Sequence, residues 1–391
     1  MELGRQTRIL YVGDSTHIHD LRFLRKLSEN GYEVNVLSFS DNPIRVEGVV
    51  YHTMPKAKAE TGNRIKDDIQ YLLTVIKWRK RIRALVKEIE PDVLHGGWIP
   101  EQGFISALSG FHPFLLMPWG SDVLVLPWRT SRVIKAQYIW TILHADMITC
   151  DAEYVKSQLV KLSGYDPEKV VVFPRGVDQS VFNTSVNGDT VRRSLGWEDE
   201  DIVISTRTLK PIYGMEYLLS AFSQVVKIQP QSRLLICGDG PLMEKLKNYC
   251  KLEGMDEFVH FEGAVKNEDL PKYLAAADVY VSSSLSDGTS VSLLEAISMG
   301  LPVVVSDIPT NREWIKDGMN GILTRPEDPY AIRDALVSLL SDEEKRQTFS
   351  ERNVQLAREK ANWDYNFTKL EMIYRSMIKK VKNIDTDPLL Y

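Results

Sequence analysis

The stretch Val279-Tyr280-Val281-Ser282-Ser283-Ser284-Leu285-Ser286-Asp287-Gly288-Thr289-Ser290-Val291-Ser292-Leu293-Leu294-Glu295-Ala296 runs from a β-branched apolar segment, through a Ser/Gly/Thr loop, into a helical pattern. That is the strand-loop-helix unit of a parallel sheet, and outward from it the unit repeats. Downstream, Pro302–Val305 reads as the next strand; upstream, Ile202–Thr206, Arg233–Cys237 and Phe258–Phe261 alternate with helices at Met215–Ile228, Leu242–Leu252 and Asp269–Ala276. The same rhythm fills the N-terminal half, with strands at Ile9–Val12, Glu33–Phe39, Asp92–Leu94, Phe114–Met117, Asp146–Cys150 and Val170–Phe173. Helices are expected through Leu27, at Val133–Leu143 and at Ala152–Leu162, and the last stretch, Pro329–Lys382, reads as helices only. Both faces of such sheets are covered, so the expected fold class is α/β, with two doubly wound, Rossmann-like domains.

The small polar stretch Asn183–Asp189 interrupts the pattern and suggests a linker. The expected division is an N-terminal domain 1–182, a linker 183–190 and a C-terminal domain 191–391 with a helical tail. A length of 391 residues suits two domains, each with a core of its own. The net charge of −5 excludes a globally basic nucleic-acid binder, and no nucleic acid is expected as partner. That charge is uneven: residues 1–180 carry a net +2 and residues 181–391 a net −7. The basic excess concentrates in Lys77-Trp78-Arg79-Lys80-Arg81-Ile82-Arg83, inside a helix expected from Arg64 to Glu90. Its apolar residues Ile65, Ile69, Leu72, Leu73, Ile76, Ile82, Leu85, Val86 and Ile89 recur as on an amphipathic helix. The cations suit either a solvated face or contact with anionic lipid headgroups or an acidic acceptor. Cys150, Cys237 and Cys250 form no CxxC and no evident disulfide framework, as for buried thiols in a reducing compartment. No apolar run reaches the length of a membrane span, so a cytoplasmic protein, peripheral on the membrane at most, is expected.

In doubly wound sheets ligands bind beyond the carboxyl ends of the strands. The turns there, Gly13-Asp14-Ser15 and Gly238-Asp239-Gly240-Pro241, lack the third glycine of a dinucleotide fingerprint, and neither a Walker A loop nor G-x-S-x-G occurs. The start of the helix at Val291 is different. Thr289 or Ser290 can cap it, and its free N–H groups and dipole suit a phosphate. Glu295, on the same face, offers two acceptor oxygens to a vicinal diol such as a ribose.

These residues, with Met299-Gly300-Leu301-Pro302-Val303-Val304-Val305-Ser306-Asp307, closely resemble the E-x7-E region of the family 4 retaining glycosyltransferases of the GT-B fold (glycosyl transferases group 1). Gly176-Val177-Asp178 with Phe182, Gly238–Pro241, Ala276-Ala277-Asp278-Val279 and Gly318-Met319-Asn320-Gly321 extend the resemblance over nearly the whole chain. It implies two domains facing across a cleft, with C-terminal helices packing back across it. It also implies transfer of a sugar from a nucleotide diphosphate sugar, UDP- or GDP-linked, to a glycan or lipid-linked acceptor, with retention and without a metal. Glu295 would bind the nucleotide ribose, and Asp287, where relatives have Glu, the donor sugar hydroxyls. Arg207 falls where the family places its diphosphate arginine; the partner lysine is replaced by Tyr213, and Lys210 is the candidate substitute. Gly13, Gly238, Gly240, Val265, Gly288, Thr289 and Ser290 complete the donor side.

On the acceptor side the resemblance points to His19, His95, Trp119 and Asp122. His17 and His19 flank one position, and only one of them is expected to face the site. The His-x-His of many relatives reads His95-Gly96-Gly97 here, and Trp119-Gly120-Ser121-Asp122 stands where His-Gly-Ser-Asp is common. His95 therefore reads equally as a structural or a site residue, and Trp119 and Asp122 as core and cap or as acceptor contacts. Asp199-Glu200-Asp201 and Asp385-Thr386-Asp387 look like D-x-D metal motifs but sit in charged loop or tail sequence. A sugar-nucleotide-binding protein without turnover, or a GT-B sugar-nucleotide epimerase, are the rival functions.

Overall fold

The computed structural model describes residues 6–54, 64–128 and 131–381, with side chains of 64–69 and 128 excepted. Asp385-Thr386-Asp387 lies outside the described residues. Two compact units form: residues 1–150, 155–173 and 369–391 make the first, and 151–154 with 174–368 the second. The chain thus leaves the first unit at 173, before the expected linker, and returns at 369, so the last helix, Trp363–Val381, starts in the second unit and belongs to the first from Lys369 onward.

The first unit holds seven parallel strands: β1 (Arg8–Val12), β2 (Glu33–Ser38), β3 (Val49–Thr53), β4 (Val93–Gly96), β5 (Phe114–Leu116), β6 (Met147–Cys150) and β7 (Val170–Val172), in the order β3-β2-β1-β4-β5-β6-β7. The second holds six: β8 (Asp201–Ser205), β9 (Ser232–Ile236), β10 (Val259–Phe261), β11 (Val279–Ser282), β12 (Val303–Ser306) and β13 (Ile322–Thr324), in the order β10-β9-β8-β11-β12-β13. Strand order reverses beside β1 and β4 in one unit and beside β8 and β11 in the other. Those points are where a doubly wound sheet opens to a ligand.

Two strands escape the sequence pattern, both on edges. β3 is half-buried, and its His52 hydrogen-bonds Asn35 at 3.0 Å, so its pairing to β2 comes from tertiary contact more than from an apolar run. β13 has three residues and is held by β12. The central strands are the opposite case: Ile9, Leu10, Val12, Ile202, Val203 and Ile204 are fully buried, as near-continuous apolar runs under helices on both faces should be. All three cysteines are buried and free.

The helix Arg64–Ile89 departs from its expected stripe. Trp78, Ile82, Leu85 and Ile89 are buried, but Leu72, Leu73 and Ile76 face solvent. Ile65 and Ile69 lie among the side chains not described. No helix of the described chain is long and apolar enough to cross a membrane.

Candidate active site

Arg207 leaves β8 two residues after its end and is buried. Its Nη2 pairs with Asp287 Oδ2 at 2.6 Å, while Nη1 donates to Ser290 Oγ at 2.6 Å and Ser292 Oγ at 3.1 Å. The planar fork reaches three acceptors in fixed directions, a rigid geometry that the single ammonium of a lysine does not provide. Nε is buried with no hydrogen-bond partner among the described residues. Burial works against the charge, and Asp287, with Tyr280 and Tyr213 adding to it, more than offsets that cost, so the guanidinium stays protonated. Ser290 also caps the helix Val291–Ser298, accepting from Leu293 N at 3.4 Å. The arginine, the loop carboxylate and the helix start are therefore one unit of structure.

Three loops are stitched together to make this possible. After β8, Leu209 N donates to Asp239 O and Leu242 N to Leu209 O, tying that loop to Gly238–Pro241. A Cβ at Gly238 would lie 2.1 Å from the Arg207 carbonyl, so only glycine lets the two backbones approach. After β11, Leu285 N donates to Ile212 O, and Ser283 Oγ donates to the carbonyls of Tyr213 and Gly214. That anchors the turn Pro211–Tyr213 and sets the Tyr213 ring 4.0 Å from the guanidinium carbon of Arg207. The residue standing in place of the family's lysine thus covers the arginine with its π-face. Lys210, at the head of that turn, is exposed.

Glu295 is buried on the helix behind Ser290, close enough to the buried Tyr280 of β11 to influence its phenol. Burial pushes that phenol up to about 12, with Arg207 and Glu295 pulling in opposite directions, so it remains a protonated neighbour of both. Val265, in the loop after β10, is half-buried against the core of this unit. Of the D-x-D-like stretch, Glu200 faces Arg233 at 3.5 Å and Asp201 opens β8. Among the described residues no cluster of three His, Cys, Asp or Glu is placed to hold a metal ion.

Sequence reasoning missed Asp151 and Arg175. Both are buried in the second unit, with Arg175 Nη2 3.6 Å from Asp151 Oδ2. The Asp151 carboxylate lies against Gly288, where a Cβ would come within 2.8 Å of it, and its backbone carbonyl accepts from Thr289 Oγ1 at 2.5 Å. Burial raises the Asp151 pKa, Arg175 lowers it and Asp287 raises it again. Arg175 adjoins the quoted Gly176-Val177-Asp178, so proximity to that motif was the one available signal; Asp151 carried none. A cavity of about 440 Å³ elsewhere in this unit is lined by Asp278, Met299, Pro302 and Arg346. Asp278 and Pro302 precede β11 and β12, at the opposite strand ends from Arg207, so this cavity is no part of the charged cluster.

In the first unit the corresponding loops follow β1 and β4. Gly13 leads to Asp14, whose N–H donates to the buried Asp20, as does the Tyr11 hydroxyl at 2.6 Å. Burial raises the Asp20 carboxyl to about 6. His17 is exposed, whereas His19 stacks on Trp119 with ring centroids 5.4 Å apart. Gly97 explains that Trp: a Cβ there would sit 2.9 Å from Trp119 Nε1 and 2.4 Å from Gln102 Oε1. Glycine at 97 is thus what leaves room for the Trp119 indole and the Gln102 amide. Asp122 is buried, its oxygens accepting from Ile99 N at 3.1 Å and Trp119 N at 2.8 Å. His95, fully buried, shares a short hydrogen bond of 2.5 Å with the Tyr374 hydroxyl, and burial lowers its pKa to about 3. Tyr374 lies on the last helix, Trp363–Val381, so the returning C-terminus is what holds this histidine.

Two parallel, doubly wound units, one with a buried guanidinium at a helix start beside its strand reversal, define a GT-B-type protein. The family described as Glycosyl transferases group 1 matches residues 188–355, and that described as Glycosyl transferase 4-like matches residues 8–152. The chain belongs to the family 4 glycosyltransferases of the GT-B fold. A glycosyltransferase of Methanocaldococcus jannaschii is 21% identical over 94% of this chain and 95% of its own length. The UDP-Gal:alpha-D-GlcNAc-diphosphoundecaprenol alpha-1,3-galactosyltransferase of Escherichia coli is 32% identical over 54% of this chain. That match spans 56% of the galactosyltransferase, and a match to another M. jannaschii glycosyltransferase spans 61%, less than two thirds of either relative. The Alr3699/HepE protein of Anabaena, solved with UDP, shares the fold with a TM-score of 0.77 at 17% identity, covering 95% of this chain and 100% of that one.

Proposed function

We propose that this protein transfers a sugar from a nucleotide diphosphate sugar to a glycan or lipid-linked acceptor, with retention of configuration and without a metal. The observation that carries the reading is Arg207, buried and forked onto Asp287, Ser290 and Ser292, with Nε unpaired. A fixed cation at a helix start suits a leaving diphosphate, because its charge is in place before the bond breaks. In this reading Arg207 and the N–H groups at Gly288, Thr289 and Ser290 take the diphosphate, with exposed Lys210 closing over it. Glu295 takes the ribose, and the loops at Gly238, Gly240 and Val265 take the base.

Asp287 serves twice. It holds Arg207 before the donor arrives, and when phosphate oxygens replace it on the guanidinium it becomes an acceptor for the sugar hydroxyls. The leaving phosphate oxygen takes the proton of the attacking hydroxyl, so the protein supplies position and charge and no nucleophile. The acceptor side fits this division. His95, neutral across the physiological range, and Asp122, bonded to two backbone amides, act as supports, and Trp119 on His19 offers the flat surface suited to a sugar ring. The lipid-linked acceptor of the E. coli relative and the UDP of the Anabaena structure favour a UDP-sugar and a lipid-linked acceptor.

The test has two parts. Thermal shift against UDP, GDP and ADP identifies the base, since a ligand at a hundred times its Kd stabilises by about 2.7 kcal/mol. Proton NMR of the product anomer, with and without EDTA, then decides retention and metal use. Binding without product would leave a sugar-nucleotide-binding protein, and release of a free epimer without acceptor would make it an epimerase.

A further inference from the structure

Two helices of the first unit turn apolar side chains to solvent. On Arg64–Ile89, Leu72, Leu73 and Ile76 are 59%, 54% and 43% exposed. At 3.6 residues per turn the solvent face that carries them continues into Lys77, Lys80, Arg83 and Lys87. From Gln70 to Lys87 the sequence holds six cations, Lys77, Arg79, Lys80, Arg81, Arg83 and Lys87, and no Asp or Glu. The second helix, Arg132–Leu143, buries Tyr138, Thr141 and Ile142 and exposes Val133 (80%) and Leu143 (53%), with Trp140 between them on the same face. It adds Arg132 and Lys135 and again no acid. The Tyr71 hydroxyl donates to Gln137 Oε1 at 3.0 Å, so the two helices adjoin.

We propose that this surface docks on an anionic lipid bilayer, with Leu72, Leu73, Ile76, Val133 and Leu143 entering the interface and the cations meeting the phosphates. Exposed leucine, isoleucine and valine beside an unbroken run of positive charge is the composition of an interfacial helix. Charge complementarity chooses the occupant. A second copy meeting the same patch across a twofold axis would bring like charges together, whereas a bilayer surface supplies apolar depth and negative charge at once. The inference does not depend on the donor chemistry.

Flotation of the full chain with vesicles of phosphatidylcholine alone, and of phosphatidylcholine with phosphatidylglycerol, tests it. The protein is expected to float with the anionic vesicles, to bind the neutral ones far more weakly, and to release partly as salt rises. A Leu72→Ser, Ile76→Ser, Val133→Ser variant should lose at least about tenfold in partitioning, from the apolar area no longer buried. A Lys77→Gln, Arg79→Gln, Lys80→Gln variant should lose on the order of a hundredfold and much of the salt sensitivity. All six side chains are exposed, and unchanged melting curves would show that both variants remain folded. Unaltered binding by the serine variant, or no binding to either vesicle, would overturn the proposal. Concentration-dependent dimers in gel filtration that the serine variant abolishes would overturn it in favour of a second copy, and vesicle-independent pull-down of an acidic protein through the cations in favour of a protein partner.

Discussion

At the strand reversal of the second unit, Arg207, Asp287, Ser290 and Ser292 converge as a charged, hydrogen-bonded cluster, with Asp151 and Arg175 packed against the same loop. At the equivalent point of the first unit the residues are neutral or already spent. His95 is kept uncharged beside Tyr374, Trp119 stacks on His19, and Asp122 is consumed by two backbone amides. One architecture therefore provides two openings with opposite chemistry. A parallel sheet dictates where a ligand can sit, and the loops alone dictate what it must be.

The hardest blow to that contrast is Arg207→Ala. It removes the cation from Asp287, Ser290 and Ser292, and transfer should fall by about 10²–10³-fold, the usual cost of losing a preorganised charge. Steady-state rates with saturating donor measure it. Arg207→Lys should recover little, because a point charge cannot fork or stack under Tyr213.

Next comes the pair that sequence reasoning missed. Arg175→Met leaves the Asp151 carboxylate buried without its counter-ion and should cost about 3–5 kcal/mol in urea unfolding. Adding Asp151→Ser should restore much of that loss. If the double variant is as unstable as the single one, the pair is not coupled.

In the first unit two buried groups give opposite pH dependences. The folded-state pKa of Asp20 is raised to about 6, so the native state holds a proton that the unfolded state releases, and stability falls as pH rises from about 4 to 6, by about 3 kcal/mol. His95 is lowered to about 3, so the unfolded state binds the proton first, and stability falls as pH drops below about 6.5 toward 3. The two slopes oppose each other between pH 4 and 6. Asp20→Asn should leave the His95 slope, and His95→Phe the Asp20 slope, in unfolding measured against pH. Similar curves for both variants would break the assignment.

The smallest expected effect is at Gly97→Ala, whose Cβ meets Gln102 and Trp119. A cost of about 1–3 kcal/mol from overpacking, together with a shifted Trp fluorescence, would mark the close packing of Gly97 against Trp119 and Gln102.

Much of this was legible from the amino acids. Eleven of the thirteen strands stand out as apolar runs, most clearly the central ones buried on both faces; β3, a half-buried edge strand, and β13, an edge strand of three residues, do not. The Ser290 cap and Glu295 could be picked out from the strand-loop-helix pattern, which places small polar residues and a carboxylate at a known point, whereas Arg207 and Asp287 stand out only through the family resemblance. Leu72, Leu73 and Ile76 misled by the same logic: their period is that of a core stripe, and periodicity does not say which stripe has something to pack against.

By itself, then, the order of residues determined two doubly wound units, the strand ends where a ligand must bind, and the family. Local periodicity and loop composition carry that information. Only the tertiary structure decided that Tyr213 covers Arg207, that Asp151 and Arg175 meet behind Gly288, that the last helix returns to hold His95, and that an apolar face stays open beside a run of cations. Each of these joins residues tens to hundreds of positions apart, and such meetings are settled by packing and charge pairing in three dimensions, which no spacing along the chain records.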